Sequence, residues 1–283
     1  MMPIIYLQLL LITLVTALAC VIPGNFLILR GNALMSDALS HAILFGIVIT
    51  FLLVQDINSP LIFLGAIIAG IITVSATQAL TKIGHLHQDA AIGLTFPFLF
   101  SIAVILINIF ADNVHLDTDA ILLGELAFAP FEKLYIFNHN CGPVALWNMS
   151  IILCMNIFSV LFFYKELIIS TFDPAHAKLM NYHPNRFHYL LMILTSITII
   201  QAFHITGTIL VISFIVTPAA TAYLLTKKLS HMITLSCMLA IIAVLSGFLL
   251  AHEYNTSIAG AITVMNGVIF FCVMLFQKIA GKN

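Results

Sequence analysis

Asn32-Ala-Leu-Met-Ser-Asp-Ala-Leu-Ser-His-Ala-Ile-Leu-Phe-Gly-Ile-Val-Ile-Thr-Phe-Leu-Leu-Val54 carries two ionisable side chains, Asp37 and His41, in an otherwise apolar or small-residue run. Such a run is long enough to cross the hydrocarbon core of a bilayer, which takes about 20 residues. The same pattern recurs along the 283 residues. Apolar runs bounded by polar residues give nine candidate spans, roughly 5–29, 33–54, 60–81, 90–111, 143–164, 187–205, 208–226, 229–250 and 257–277. The sixth and seventh are parted only by Thr206-Gly207, so one of them could be short or re-entrant and the total eight. The fold expected is all-α, a polytopic helical bundle forming a single transmembrane domain over residues 1–283.

Composition agrees. Apolar residues make up 62% and charged residues 7%, against roughly 45–50% and about 25% in soluble domains. These values exclude a soluble enzyme and a disordered chain. A net charge of −1 leaves no basic patch for nucleic acid. A β-barrel would show short alternating strands rather than unbroken apolar runs. Cys20, Cys141, Cys154, Cys237 and Cys272 are odd in number and scattered, as packing residues are. No Lys or Arg precedes Arg30, so the first span is expected to stay in the mature protein.

Pro60 and Pro143 stand where spans open, whereas Pro23-Gly24 and Pro97 lie inside spans and should kink or loosen them. The pairs Gly65/Ala69 and Ala66/Gly70 suit close helix contact.

The ten basic residues set an orientation. With the N-terminus outside, Arg30, Lys82, Lys165, Lys178, Arg186, Lys227, Lys228, Lys278 and Lys282 all fall on the cytoplasmic side, and Lys133 alone falls outside. The C-terminus is then cytoplasmic. Asp56, Asp112, Asp117, Asp119, Glu125, Glu132 and Glu253 fall outside, where they would concentrate cations. Outer loops that merely lack Lys and Arg would read the same way.

Asp37 and His41 are four apart and share one helix face. An ionised Asp inside an apolar run is costly unless it meets a partner or a wet cavity. Carboxylate plus imidazole suits Mn²⁺, Fe²⁺ or Zn²⁺. Two ligands are too few to hold such an ion, and a second copy across a two-fold axis would supply four. A pair that only ties helices together is the competing reading.

The segment Arg30 to Ala42, Arg-Gly-x-x-Leu-Met-x-Asp-Ala-x-Ser-His-Ala, resembles the signature of permease subunits of metal-ion ABC transporters. These are manganese, zinc and iron(II) importers served by a solute-binding protein. Asp89-Ala-Ala-Ile-Gly93 is similar to a further element of that family. So are Gln201 with Gly207-Thr-Ile-Leu-Val211, and Thr217-Pro-Ala-Ala-Thr221. His115-Leu-Asp-Thr-Asp-Ala-Ile-Leu-Leu-Gly-Glu125 resembles the outer-loop motif of its manganese and iron members, which points to manganese. The resemblance implies a bacterial cytoplasmic (inner or plasma) membrane protein that imports a divalent transition metal as a permease dimer. Its second permease would be another copy or a paralogue, and two ATP-binding subunits would drive it. Asp37 and His41 then become membrane-embedded metal ligands.

Residues 165–186 read independently as a cytoplasmic segment with a short capped helix, which a surface helix with no partner would equally explain. In Thr171-Phe172-Asp173-Pro174-Ala175-His176-Ala177-Lys178-Leu179-Met180-Asn181, Asp173 suits an N-cap, Pro174 the first helical position and Asn181 the left-handed end. Pro184 then prevents continuation. A short capped helix there resembles the family's ATPase-coupling helix, with Phe172, Asp173, Pro174, Ala175, Ala177 and Asn181 as its key positions. Asn181 stands where the family usually has Gly.

The outer loop 112–142 contains a stretch, 120–131, too short and interrupted to span, expected to lie along the outer surface where a binding protein docks. Asp117, Asp119, His115 and, at the end of the sixth span, His204 could help pass the ion, although Asp117 and Asp119 could equally cap a following helix and His204 could simply pack. His85, His87 and Asp89 read as an ordinary polar loop. His252-Glu253 lacks the second His of a zinc-protease helix. No Gly-x-x-x-x-Gly-Lys-Ser/Thr loop is present, so the chain itself does not hydrolyse ATP in the P-loop manner and is not expected to be an enzyme. A secondary transporter driven by an ion gradient would also explain the Asp–His pair, but not the capped helix.

Overall fold

The computed structural model describes residues 2–56, 59–110, 126–136, 139–279 and 281. Helices α1 (Met2–Leu29), α2 (Met35–Val54), α3 (Pro60–Ile83) and α4 (Gln88–Phe110) come first. A 3-10 turn (Leu126–Phe128) leads to an antiparallel hairpin of β1 (Lys133–Ile136) and β2 (His139–Pro143). Then follow α5 (Val144–Phe162), α6 (Tyr164–Phe172), α7 (Pro174–Leu179), α8 (Pro184–Thr206), α9 (Thr208–Leu225), α10 (Leu229–Tyr254) and α11 (Ile258–Ile279). Among the described residues nine helices, all but α6 and α7, are long and apolar enough to cross a membrane.

A helix that is apolar all round belongs in a core or a bilayer, and α1 is both. It packs on α5, α8, α9 and α10, and its Ile12 and Leu27 are buried with Met149 of α5 and Phe214 of α9. The most enclosed span is α8, with 67% of its apolar window buried, while α5 and α11 lie at the edge. A second group forms around α2, which lies against α3 and α4. There the small residues act as expected: a Cβ on Gly46 would run into the carbonyl oxygen of Gly65, so α2 and α3 meet backbone to backbone.

Polar side chains inside the bundle are turned to use. Hydroxyls of Thr13, Thr16, Thr195, Ser196 and Thr198 each donate to the carbonyl four residues back. Three amides tie helices instead. Asn25 donates to Ser236 Oγ at 2.8 Å, and Asn266 donates to Ser213 Oγ at 2.9 Å. Asn156 of α5 donates to Thr198 Oγ1 at 2.9 Å and to the Ala19 carbonyl at 3.0 Å. Ala19 is the residue whose carbonyl loses its helical partner because Pro23 has no N–H. Helix α1 therefore runs unbroken through Pro23 with the deficit made good by α5, as α4 runs unbroken through Pro97.

The span ends expected from sequence hold to within a few residues. Gly207, at φ +79°, separates α8 from α9 and leaves both at full length, so among the described residues the candidate spans number nine rather than eight. Pro184 does more than stop the preceding helix; it is the first residue of α8. The outer stretch differs more. Residues 111–125 lie outside the described residues, and the part beyond them forms the 3-10 turn and hairpin rather than a continuous surface segment. Lys133-Leu-Tyr-Ile is rich in strand formers but too short to show alternation.

Candidate metal centre

Asp37 stands in the first turn of α2, nearer the helix start than the length of its apolar run suggested. An acid there is favoured by the positive end of the helix dipole. One turn on, His41 Nε2 lies 3.5 Å from Asp37 Oδ1, an i,i+4 pair. Both side chains are partly open, 41% for Asp37 and 35% for His41, while Ala38, Leu39, Ala42 and Ile43 around the rest of the helix are buried. The pair thus sits on a face of α2 that is partly open among the described residues. His41 is fixed from α4, its ring stacked on Phe96 with centroids 5.6 Å apart and set edge-on to Phe100 at 5.9 Å. A carboxylate oxygen and an imidazole nitrogen are donor types that divalent transition metals accept.

Of the other expected pathway residues, His204 alone lies among the described residues. His115, Asp117 and Asp119 lie outside the described residues. His204 is exposed in the last turn of α8, about 24 Å along the helix axis from His188. Among the described residues no group of three or more His, Cys, Asp or Glu could hold a metal, His85, His87 and Asp89 included.

The short helix α7 and its ends are built as their residues dictate. Asp173 accepts from the His176 N–H at 2.9 Å as N-cap of α7, and Pro174 is the first helical residue. At the other end Asn181 takes φ +62°. Its N–H donates to Lys178 O at 3.1 Å, and the Tyr182 N–H donates to Ala177 O at 2.9 Å. That paired closure is the Schellman motif. Ala177 is fully buried and faces the bundle, whereas Phe172 (59% exposed), Leu179 (85%) and Met180 (55%) point away from it. Apolar side chains displayed together on a turn of this kind mark a contact surface. Leu179 and Met180 were not among the positions expected, because periodicity over six residues cannot say which face looks out.

The sequence marks Arg30 as a positive charge at the cytoplasmic end and as the first residue of the Arg30–Ala42 motif, but assigns it no contact. It is half-buried, its Nε donating to Thr171 Oγ1 at 3.1 Å and its Nη2 to Ser170 Oγ at 3.2 Å, both at the end of α6. Nη1 lies 3.2 Å from His188 Nδ1 at the start of α8. Burial pulls the guanidinium down to about 10, still charged at neutral pH.

Comparisons with known proteins show the family and the fold. Over 274 residues, 97% of this chain and 74% of the relative, the sequence is 44% identical to the zinc transport system membrane protein TroD of Treponema pallidum. It is 36% identical over 263 residues to the manganese transport system membrane protein MntD of Bacillus subtilis, covering 93% and 89%. PsaBC from Streptococcus pneumoniae, solved in complex with Fab, superposes with a TM-score of 0.76 at 29% identity, covering 97% of this chain and 95% of that one. Residues 4–277 match the ABC 3 transport family. A multi-pass membrane chain with an Asp–His pair on an open helix face and a capped helix beside its bundle, it belongs to that family.

Proposed function

We propose that the chain is the permease subunit of an ATP-driven importer of a divalent transition metal, with Asp37 and His41 as its intramembrane ligands. The observation that carries this is the Asp37–His41 pair itself: a carboxylate and an imidazole 3.5 Å apart on a partly open face of α2, too few donors to retain an ion alone. A second permease, this chain again or a paralogue, completes the set and forms the pore between them. The N-terminus faces outward in the bacterial cytoplasmic membrane, so that α7 meets an ATP-binding subunit through Phe172, Leu179 and Met180. A metal-loaded solute-binding protein delivers the ion to the outer loop.

Manganese is the cargo we assign, on the outer-loop motif and on a relative named for manganese. Zinc is the second reading, favoured by the relative that is 44% identical and named for zinc. Oxygen and nitrogen donors accept either ion, and intrinsic affinity favours zinc.

The test is co-expression with the ATP-binding subunit, reconstitution in vesicles with the binding protein, and uptake of labelled manganese and zinc normalised to assembled transporter. Asp37→Asn and His41→Ala should each abolish uptake while assembly is retained. Retained uptake in Asp37→Asn, or lost assembly with normal uptake per assembled complex, would overturn the ligand assignment.

A further inference from the structure

We propose that Arg30 is the positioning residue that carries movement of the cytoplasmic helix α7 to the metal pair on α2. This rests on the reading of α7 as the ATPase contact and of Asp37 and His41 as ligands.

The contacts run without a gap. On one side the guanidinium holds Ser170 and Thr171, the two residues before Phe172 and the Asp173 cap, and so grips the chain where it enters α7. It also holds His188, where the chain has left α7 and begun α8. A guanidinium only donates, so Nδ1 of His188 is the acceptor and the ring proton stands at Nε2. Both limbs of the coupling segment are thus fastened to one side chain. On the other side Arg30 begins the turn from α1 into α2. Gly31 takes φ +69°, the Asn32 N–H returns to Leu27 O at 2.8 Å, and the Asn32 side chain accepts from Gln88 at the head of α4. Asp37 follows five residues after Asn32, in the first turn of α2, and α4 carries the Phe96 and Phe100 that hold His41. A shift of α7 that drags Arg30 therefore moves both helices that shape the pair.

The chemistry suits a transmitting joint better than a static one. Among the described residues no carboxylate lies within ion-pair distance of Arg30; its three partners are neutral. A buried cation held by hydroxyls and an imidazole can exchange one acceptor for another as the helices shift, which a bidentate carboxylate pair resists. The planar fork matters as much as the charge. Arg reaches three acceptors at fixed angles, and Lys, a point charge on a flexible stem, does not.

The assembled transporter, reconstituted with its ATP-binding subunit, tests this through manganese moved per ATP hydrolysed. R30K keeps the charge and loses the fork; S170A/T171V removes two acceptors and leaves Arg30. Each should lower transport per ATP by about tenfold, with assembly yield and manganese affinity of the resting complex close to wild type. The two sets of changes combined should lower it little further, since they cut the same link. Wild-type transport per ATP in both R30K and S170A/T171V would overturn the inference. So would a loss of transport matched by an equal loss of manganese affinity or of assembled protein, the mark of a merely structural tie. If R30K does not assemble, S170A/T171V decides by the same measures. Leu179→Asp, on the exposed face of α7, reports on the underlying reading. If it leaves metal-stimulated ATP hydrolysis intact, α7 is not the ATPase contact and the inference falls with it; if it abolishes stimulation while R30K transports normally, only the inference falls.

Discussion

His41 lies flat against Phe96, centroids 5.6 Å apart and ring planes 24° from parallel. The stack joins the imidazole of α2 to the wall of α4 and fixes the direction in which its ring nitrogens point. Ring pairs of this kind contribute about 0.5–1.5 kcal/mol beyond area burial. Phe96→Ala should therefore weaken manganese binding to the assembled transporter by about 2- to 12-fold. Titration with labelled metal reads this directly, and unchanged affinity would show that the stack does not position the ligand.

Asn181 holds a left-handed backbone that closes α7. For most side chains that conformation costs about 1–2 kcal/mol, and for Gly almost nothing. Asn181→Gly should leave ATPase stimulation at or above wild type, while Asn181→Val should reduce it several-fold. Asp173→Ala should act in the same direction, since losing an N-cap costs about 0.5–2 kcal/mol. Equal stimulation in all three would mean that the shape of α7 is irrelevant to coupling.

The approach of α2 to α3 leaves no room at Gly46. Gly46→Ala should destabilise the detergent-solubilised transporter by about 1–3 kcal/mol, because the added methyl meets backbone rather than a movable side chain. Gly267→Ala on α11, where nothing lies within 4 Å, should stay within about 0.5 kcal/mol of wild type. Thermal unfolding of the two side by side separates close packing from the general effect of removing a helical glycine.

Pro23 and Asn156 should be coupled. Asn156→Leu strands the Ala19 carbonyl and should cost about 1–3 kcal/mol. In a Pro23→Ala background, where residue 23 regains its N–H, the cost should shrink by about 1 kcal/mol. A double-mutant cycle on thermal stability measures the difference, and strict additivity would refute the repair.

The spans were legible as long apolar runs, several of them bounded by a residue with a clear physical signal: Pro60 opening α3, Pro143 before α5, Gly207 between α8 and α9. The ends of α7 were legible for the same reason, since Asp173, Pro174 and Asn181 act through local backbone chemistry alone. What could not be read were facts of tertiary placement. Nothing local says that Ala177 faces inward and Leu179 outward, or that Asp37 lies within a turn of its helix start. The contacts of Arg30 with Ser170, Thr171 and His188 span some 140 to 158 positions and leave no periodic trace. Nor does anything local single out Phe96 and Phe100 as the residues that pack on His41.

The carbonyl of Ala19 and the amide that completes it stand 137 positions apart. At about 5–20 residues per second of synthesis, α1 precedes α5 by on the order of ten seconds. Through that interval the first helix sits in the bilayer with an open acceptor, and it reaches its final hydrogen bonding only when a helix from the second half of the chain arrives. Biogenesis of this protein thus has a built-in waiting step: α1 inserts early as an unfinished element, and the closing of its backbone marks the joining of the two halves of the bundle.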